Sequence, residues 1–431
     1  MVGIGKYQPA GEDCLTLNVV APIGWDGEPL PVMVFIHGGA YIFGSSATAV
    51  YDGAALARHG CVYVSVNYRL GALGCLDLSS LSTPNTAIDS NLFLRDLVMA
   101  LRWVRDNIAA FGGDPKNVTV FGESAGAHAV ATLLTVPTAE GLFHRAISQS
   151  PVTALTRSRE VTAEFASQFA AFLGVRRPQA ADRLIRASPA ELVAAQGRLI
   201  DETAREMLGS VPLGPVFGDD MLPLEPTEGM RRGQSHRVPL IVGTNAHEAR
   251  LFTHFLPLLP TTESKIEALL ADIEIGERSR ILEAYPDYPR RSACVRFGGD
   301  FAFGAAAWEI ADAHSIVAPT YLYRYDYAPR VLRWTGLGAT HGTELLAVFD
   351  LYRTRPGALM RAAADHRSAL RVSDDMQSRW RSFSRAAAPG RDWPAYTRAD
   401  RAVMVFDRRP RVEFDPHRER RMAWEGFGFA R

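Results

Sequence analysis

The sequence predicts an α/β fold, a mostly parallel central sheet flanked by helices, and three observations in its first third carry that reading. Four short runs, Leu15 to Ala21, Pro31 to Ile36, Cys61 to Asn67 and Val118 to Gly122, are rich in β-branched or large apolar residues and are bounded by Gly, Pro or Asn. Their near-continuous apolar character fits strands covered on both faces rather than on one. Between the third and fourth runs lies a helical periodicity. Leu94, Leu97, Leu101, Val104, Ile108 and Phe111 recur at spacings of three and four, opposite Arg95, Asp96, Arg102, Arg105 and Asp106. Gly112-Gly113-Asp114-Pro115 then stops the helix.

Further strands are expected at Ala146 to Ser150, Pro239 to Gly243 and Thr320 to Tyr325. Mainly helical stretches are expected between residues 158 and 232 and between 263 and 317, with peripheral helices at Glu160 to Phe172 and Ala180 to Arg198. No repeat, low-complexity tail or linker divides the 431 residues. The expected organisation is one domain over residues 1–431, with helical insertions at 155–235 and 255–318.

With 47% hydrophobic and 22% charged residues, the chain can bury a large core. Its 47 basic and 47 acidic side chains cancel, which gives no electrostatic case for nucleic acid or an anionic membrane as partner. A small neutral substrate suits this balance. Neither a signal-peptide core within Met1 to Pro9 nor an apolar run of ~20 residues is visible, so a cytoplasmic enzyme without a membrane anchor is expected. Cys14, Cys61, Cys75 and Cys294 are scattered without a Cys-x-x-Cys pair and read as reduced thiols, neither a disulfide framework nor a metal site. No pattern specifies an oligomeric state.

The candidate nucleophile is Ser124, in Gly122-Glu123-Ser124-Ala125-Gly126. Its context gives the five-residue pattern weight. Val118 to Phe121 reads as a strand and Ala125 to Leu134 as an alanine-rich helix, so Ser124 falls at a sharp strand-to-helix turn. Glycines on either side let strand and helix approach, and the helix N-terminus offers free N–H groups and a positive dipole end. An ordinary N-capping serine would give the same local pattern. Upstream, His37-Gly38-Gly39-Ala40-Tyr41-Ile42-Phe43-Gly44 follows a strand directly. Acyl transfer needs backbone N–H donors aimed where the carbonyl oxygen becomes negative, and small residues let the main chain come that close.

These two motifs, with Gly11-Glu12-Asp13-Cys14-Leu15-Thr16-Leu17-Asn18-Val19 and Phe111-Gly112-Gly113-Asp114-Pro115, resemble the type-B carboxylesterases, the group that also contains the cholinesterases. The resemblance continues through Phe143 to Ser150 and reaches Trp393-Pro394-Ala395-Tyr396, covering essentially the whole chain. It implies an α/β-hydrolase fold with helical insertions, and an oxyanion hole formed by the N–H groups of Gly39, Ala40 and Ala125. It also implies that His341, in His341-Gly342-Thr343-Glu344, is the catalytic base, carried over the sheet by a flexible Gly336-Leu337-Gly338-Ala339-Thr340 approach. Glu248, after Gly243-Thr244-Asn245-Ala246-His247, matches the acid that orients it, and the chain order nucleophile, acid, histidine fits the fold. Where the family usually has glycine after this glutamate, Ala249 and Arg250 stand here, and a surface ion pair between Arg250 and Glu248 is the alternative.

By the same resemblance, Glu123 and Glu344 support the histidine and a local water network, or serve only as hydrogen-bonded structural carboxylates. Leu251 and Phe252 match gorge-lining positions, and His254 to Pro260 is read as an apolar rim. Members of the family that the chain resembles carry several dozen residues before the Glu12-Asp13-Cys14 segment, so by this resemblance the usual disulfide partner of Cys14 is expected to be lacking and one sheet edge is expected to be shorter or differently covered. The expected activity is hydrolysis of short to medium acyl esters through a Ser124-His341-Glu248 triad and an acyl-enzyme, with no metal or organic cofactor. Lipase action, or hydrolysis of amides, carbamates or lactones, uses the same constellation, and some family members are non-catalytic binding proteins. Activity is expected to fall as His341 protonates, near pH ~6.5 for an unperturbed imidazole.

Overall fold

Along the central strand β2 (Leu30–Ile36), Val32, Val34 and Ile36 enter one apolar layer, and Met33 and Phe35 enter another on the opposite face of the sheet. The same alternation recurs in β3 (Val62–Val66), where Val62, Val64 and Val66 face one layer and Tyr63 the other. The predicted two-sided burial is therefore met in the middle of the sheet. The computed structural model describes residues 10–428 except 26, 154, 256–257, 356 and 358–365. The expectation for Met1 to Pro9 lies outside the described residues.

Among the described residues, nine strands form the main sheet. Besides β2 and β3 these are β1 (Leu17–Val20), β4 (Gly113–Glu123), β5 (Arg145–Gln149), β8 (Leu240–Asn245), β9 (Thr320–Tyr325), β10 (Ala402–Phe406) and β11 (Arg411–Phe414), in spatial order β1-β3-β2-β4-β5-β8-β9-β10-β11. The two edge strands run antiparallel to their neighbours, and the inner pairs are parallel. A separate short parallel pair joins β6 (Arg157–Ser158) to β7 (Val216–Phe217).

Several elements differ from the sequence expectation, each for a physical reason. The first run forms an edge strand with only one neighbour, so its side chains are half-covered and Leu15 just before it is 45% exposed. The crossover helix spans Leu92–Asn107 and tightens into a 3-10 turn at Ile108–Phe111, which leaves Phe111 at 43% exposure on the rim rather than in the core. Asp96, expected on the solvent face, is 3% exposed because Arg69 closes over it, with its Nη2 at 2.6 Å and Nε at 2.9 Å. The expected Ala180 to Arg198 helix is two helices, Arg177–Arg186 and Pro189–Glu206. They divide at a capping box in which Ser188 and Glu191 satisfy each other's backbone N–H, with proline in the first turn. The strands β10 and β11 extend the sheet beyond β9 and were not expected from the sequence.

Four neighbouring parallel strands, β2, β4, β5 and β8, finish on one edge of the sheet. The chain leaving them carries His37 to Tyr41, Ser124, Ser150 and Glu248 in turn. The C-terminal edge of a parallel sheet is where such folds gather their functional side chains.

Candidate active site

Ser124 sits between the end of β4 and the helix Ala125–Leu133 with φ +59° and ψ −124°, a conformation that a residue with a Cβ rarely adopts. Two backbone hydrogen bonds hold it there. Its N–H donates to the Gln149 carbonyl at 2.9 Å, and its carbonyl accepts from the His128 N–H at 2.9 Å. The tight turn requires a glycine two residues later. A Cβ on Gly126 would stand 2.1 Å from the Ile36 carbonyl oxygen, so only a bare Cα lets the helix pass the end of β2.

The loop after β2 runs against this turn. A Cβ on Gly38 would lie 2.9 Å from that of Ser124. Ala40 and Tyr41 both take positive φ, at 53° and 62°. The Gly39 carbonyl is turned into the loop, accepting from Ile42 and Phe43 N–H at 2.9 and 3.1 Å. Among the described residues, none accepts a hydrogen bond from the N–H of Gly39, Ala40 or Ala125. The strain is held by packing. Tyr41 is fully buried with its hydroxyl 2.9 Å from His128 Nδ1, and its carbonyl accepts from Gly71 N–H at 2.8 Å. His37 stacks on Tyr68 with ring centroids 4.5 Å apart, and burial lowers its pKa to about 4, so the imidazole is neutral.

His341 Nδ1 donates to Glu248 Oε2 at 2.7 Å. The other oxygen, Oε1, accepts from the Asn245 N–H and the Ser150 hydroxyl, each at 2.6 Å. The carboxylate is therefore fixed from three sides by charge-assisted bonds. Arg250 does not pair with Glu248; it donates to the Gly336 carbonyl at 3.3 Å. The segment before His341, expected to be a flexible approach, is pinned instead. His247 N–H donates to the Ala339 carbonyl at 2.9 Å, and Thr340 Oγ1 accepts from Leu251 N–H at 2.8 Å while donating to the Glu248 carbonyl at 3.3 Å.

On the other side of the ring, Nε2 lies 3.1 Å from Glu123 Oε1. Among the described residues, Ser124 Oγ makes no hydrogen bond to Nε2. Glu344 is fully buried and accepts from Asn245 Nδ2 at 2.5 Å, so Asn245 ties the second carboxylate to the first. Burial and the neighbouring charges act on the carboxyl groups of Glu123 and Glu344 and on the ring between them. Burial pushes Glu123 up to about 7, against the opposing pull of His341 and together with repulsion from Glu248. Burial likewise pushes Glu344 up to about 8, with repulsion from Glu123 and Glu248 adding to it. Burial works against the His341 imidazolium, but the charges of Glu123 and Glu248 and the bond to Glu248 outweigh it and raise the group to about 9. The imidazole value expected for an unperturbed ring is thus displaced upward.

Phe252 packs on the His341 ring at 5.3 Å, and Leu251 is half-buried. Of the expected rim, residues 256 and 257 lie outside the described residues, while Leu259 and Pro260 are buried rather than rim-forming. Sequence reasoning missed Phe303, whose ring is nearer to His341 at 4.4 Å and stacks on Phe252 at 5.7 Å. It projects from a π-helical turn, Asp300–Gly304, set between two α-helical stretches, a device that re-aims side chains and leaves no mark in hydrophobic periodicity. The roles of Asn245, Ser150 and Thr340 were also missed; each is a small polar residue with at least one contact partner far away in sequence. All four cysteines are free thiols.

Comparison with known proteins finds relatives along nearly the whole chain. The profile of the carboxylesterase family matches residues 3–424. The para-nitrobenzyl esterase of Bacillus subtilis is 37% identical over 418 residues, spanning 95% of this chain and 82% of that protein. The fumonisin B1 esterase of Sphingopyxis macrogoltabida is 34% identical over 413 residues, spanning 92% and 73%. Among solved structures, a PNB esterase superposes with a TM-score of 0.85 at 33% identity, covering 98% of this chain and 85% of that one. A Geobacillus stearothermophilus carboxylesterase does so with a TM-score of 0.82 at 34% identity, covering 98% and 88%. The architecture is that of the α/β hydrolases, and the chain is an enzyme belonging to the carboxylesterase family.

Proposed function

We propose that this enzyme hydrolyses carboxylic esters of short to medium acyl length by double displacement, with Ser124 as nucleophile, His341 as general base and acid, and Glu248 as the group that orients His341. The observation that carries the reading is the 2.7 Å bond from His341 to a carboxylate already fixed by Asn245 and Ser150, on the sheet edge where the strained Ser124 turn stands. A ring locked through Nδ1 presents Nε2 as the proton acceptor.

In the first half-reaction Ser124 Oγ attacks the ester carbonyl and its proton passes to His341 Nε2. The carbonyl oxygen, now negative, is met by the N–H groups of Gly39, Ala40 and Ala125, each such donor being worth ~10²–10³ in rate. Collapse of the tetrahedral intermediate releases the alcohol, which takes the proton from His341. Water, deprotonated by the same nitrogen, then cleaves the acyl-enzyme and restores Ser124. Bonding of Oγ to Nε2 is made in the substrate complex, where such contacts tighten. Glu123, on the same nitrogen, raises the proton affinity of the ring and acts as a positioning and electrostatic residue.

Phe252 and Phe303 supply an apolar wall beside the base, which favours an uncharged acyl or alcohol group. The test is a panel of matched p-nitrophenyl esters and anilides of increasing acyl length. Hydrolysis of esters from acetate to about octanoate, with anilides much slower, supports the reading. A rate that climbs only above the micelle threshold would replace it with a lipase, and faster anilide cleavage with an amidase.

A further inference from the structure

Glu248 also lines a cavity of about 580 Å³ walled by the end of β8 and the turn that follows it, the helix Arg291–Gly299 and the segment 416–420. Among the described residues lining it are neither Ser124 nor His341. Among the described residues, five arginines reach its wall, Arg250, Arg291, Arg296, Arg324 and Arg420, against two carboxylates, Glu248 and Asp300. In a chain whose net charge is zero, this concentration is local and does not reflect general basicity.

The carboxylates are already engaged. Glu248 holds His341, and Asp300 accepts from Arg420 and from the Tyr285 hydroxyl, each at 2.8 Å. Arg324 pairs with Asp326 at 2.6 Å, and Arg296 with Asp287 at 3.3 Å. Arg250 and Arg291 have no carboxylate within ion-pair distance among the described residues, and the hydrogen bond of Arg250 goes to a neutral carbonyl. The neighbouring imidazoles are disfavoured as cations first by burial and then by nearby arginines. Burial and then Arg250 lower His247 to about 4, and burial followed by Arg420 and Arg324 lowers His417 to about 3, so both stay neutral near pH 7. Burial and repulsion from Arg296 also disfavour the charge on Arg250 itself. Arg291 is exposed at the mouth of the cavity, whereas Arg250 is half-buried; a partly buried guanidinium without a counter-charge is costly, and a bound anion offsets that cost.

We propose that this cavity is a binding site, separate from the ester-hydrolysing centre, for a small multivalent oxyanion held through its carboxylate or phosphoryl oxygens by Arg250 and Arg291. The planar guanidinium fork matches both oxyanions in bidentate fashion. The volume suits a small organic molecule bearing two or three charged groups.

The test is isothermal titration of the full-length enzyme with citrate and, separately, with inorganic pyrophosphate at low ionic strength. Each titration is repeated on protein whose active site has been blocked by a fluorophosphonate. Saturable binding at one site per chain is expected, unchanged by the block. It should be weakened about tenfold or more by Arg250→Gln with Arg291→Gln. The independent variant Ser292→Glu, which places a carboxylate at an exposed position on the same wall without removing an arginine, should weaken it similarly. Binding of citrate alone assigns the site to polycarboxylates, of pyrophosphate alone to phosphoryl compounds, and of both to the shared chemistry. Absence of binding by either anion, loss of binding on blocking the active site, or binding indifferent to Ser292→Glu and to the double variant overturns the proposal.

Discussion

Glu123 Oε1 stands 3.1 Å from His341 Nε2, on the face of the imidazole opposite its bond to Glu248. The ring is therefore held between two carboxylates, and its proton affinity is raised from both sides. Only the neutral ring can accept the serine proton, so activity is lost as pH falls through the titration of this cluster. With His341 raised to about 9, the acid limb of kcat/KM is expected above the ordinary imidazole value of ~6.5. In Glu123→Gln one of the three raising charges, those of Glu123, Glu248 and Glu344, is gone, and the limb should move down by roughly one pH unit. The pH–rate profile of both proteins on a p-nitrophenyl ester checks this, and an unchanged limb in the variant would show that Glu123 does not act on the ring.

The strain at Ser124 predicts a stabilising but inactivating change. Its φ of +59° with ψ −124° costs ~1–3 kcal/mol for a residue with a Cβ, whereas glycine loses ~0.5–1 kcal/mol through the freedom of its unfolded chain. Ser124→Gly should therefore raise the unfolding free energy by about 1 kcal/mol in urea titration. Ester hydrolysis should fall by more than ~10³-fold in the same protein.

Glu248→Gln tests the orienting role. The amide keeps the shape of the carboxylate but removes its charge and can present an N–H to the ring. A fall in kcat of roughly 10³–10⁴-fold is expected, by analogy with loss of the orienting carboxylate in other serine hydrolases. KM should change little, since Glu248 sits behind the ring, away from the substrate. A loss confined to KM would assign Glu248 to substrate binding instead.

Gly126→Ala places a methyl group 2.1 Å from the Ile36 carbonyl, in the fully buried contact between β2 and the helix that follows Ser124. The backbone of a central strand cannot give way cheaply, so a loss of about 3 kcal/mol or more is expected from denaturant unfolding. A neutral result would mean that the helix shifts freely on the sheet.

The parts of this molecule that were legible in the sequence are those encoded within a few residues. The β2 run, the glycine loop after it and the Gly122-to-Gly126 turn declare themselves locally, because a buried parallel strand is continuously apolar and a tight turn demands small residues. Asp96 was misread for the opposite reason. Its place on the helix gives no hint of Arg69, 27 residues earlier, which makes its burial tolerable. The capping box at Ser188 and Glu191 was readable from its spacing, yet the apolar pattern ran across it and suggested one helix. Strands β10 and β11 were missed; the outer one is only four residues long and partly exposed at the sheet edge. Phe303 was invisible because the π-turn that aims it at His341 arises from packing. Asn245, at the end of a strand that was itself expected, joins Glu248 to Glu344, and no spacing rule connects positions 245 and 344.

Whether Ser124 is the nucleophile of an ester hydrolase is decided by reaction with a fluorophosphonate followed by intact-mass measurement and peptide mapping, alongside initial rates on a p-nitrophenyl ester. One adduct per chain is expected, located on Ser124, with hydrolysis lost in proportion to labelling and both absent in Ser124→Ala. An adduct on another residue, or full hydrolysis by pure Ser124→Ala protein, would contradict that role.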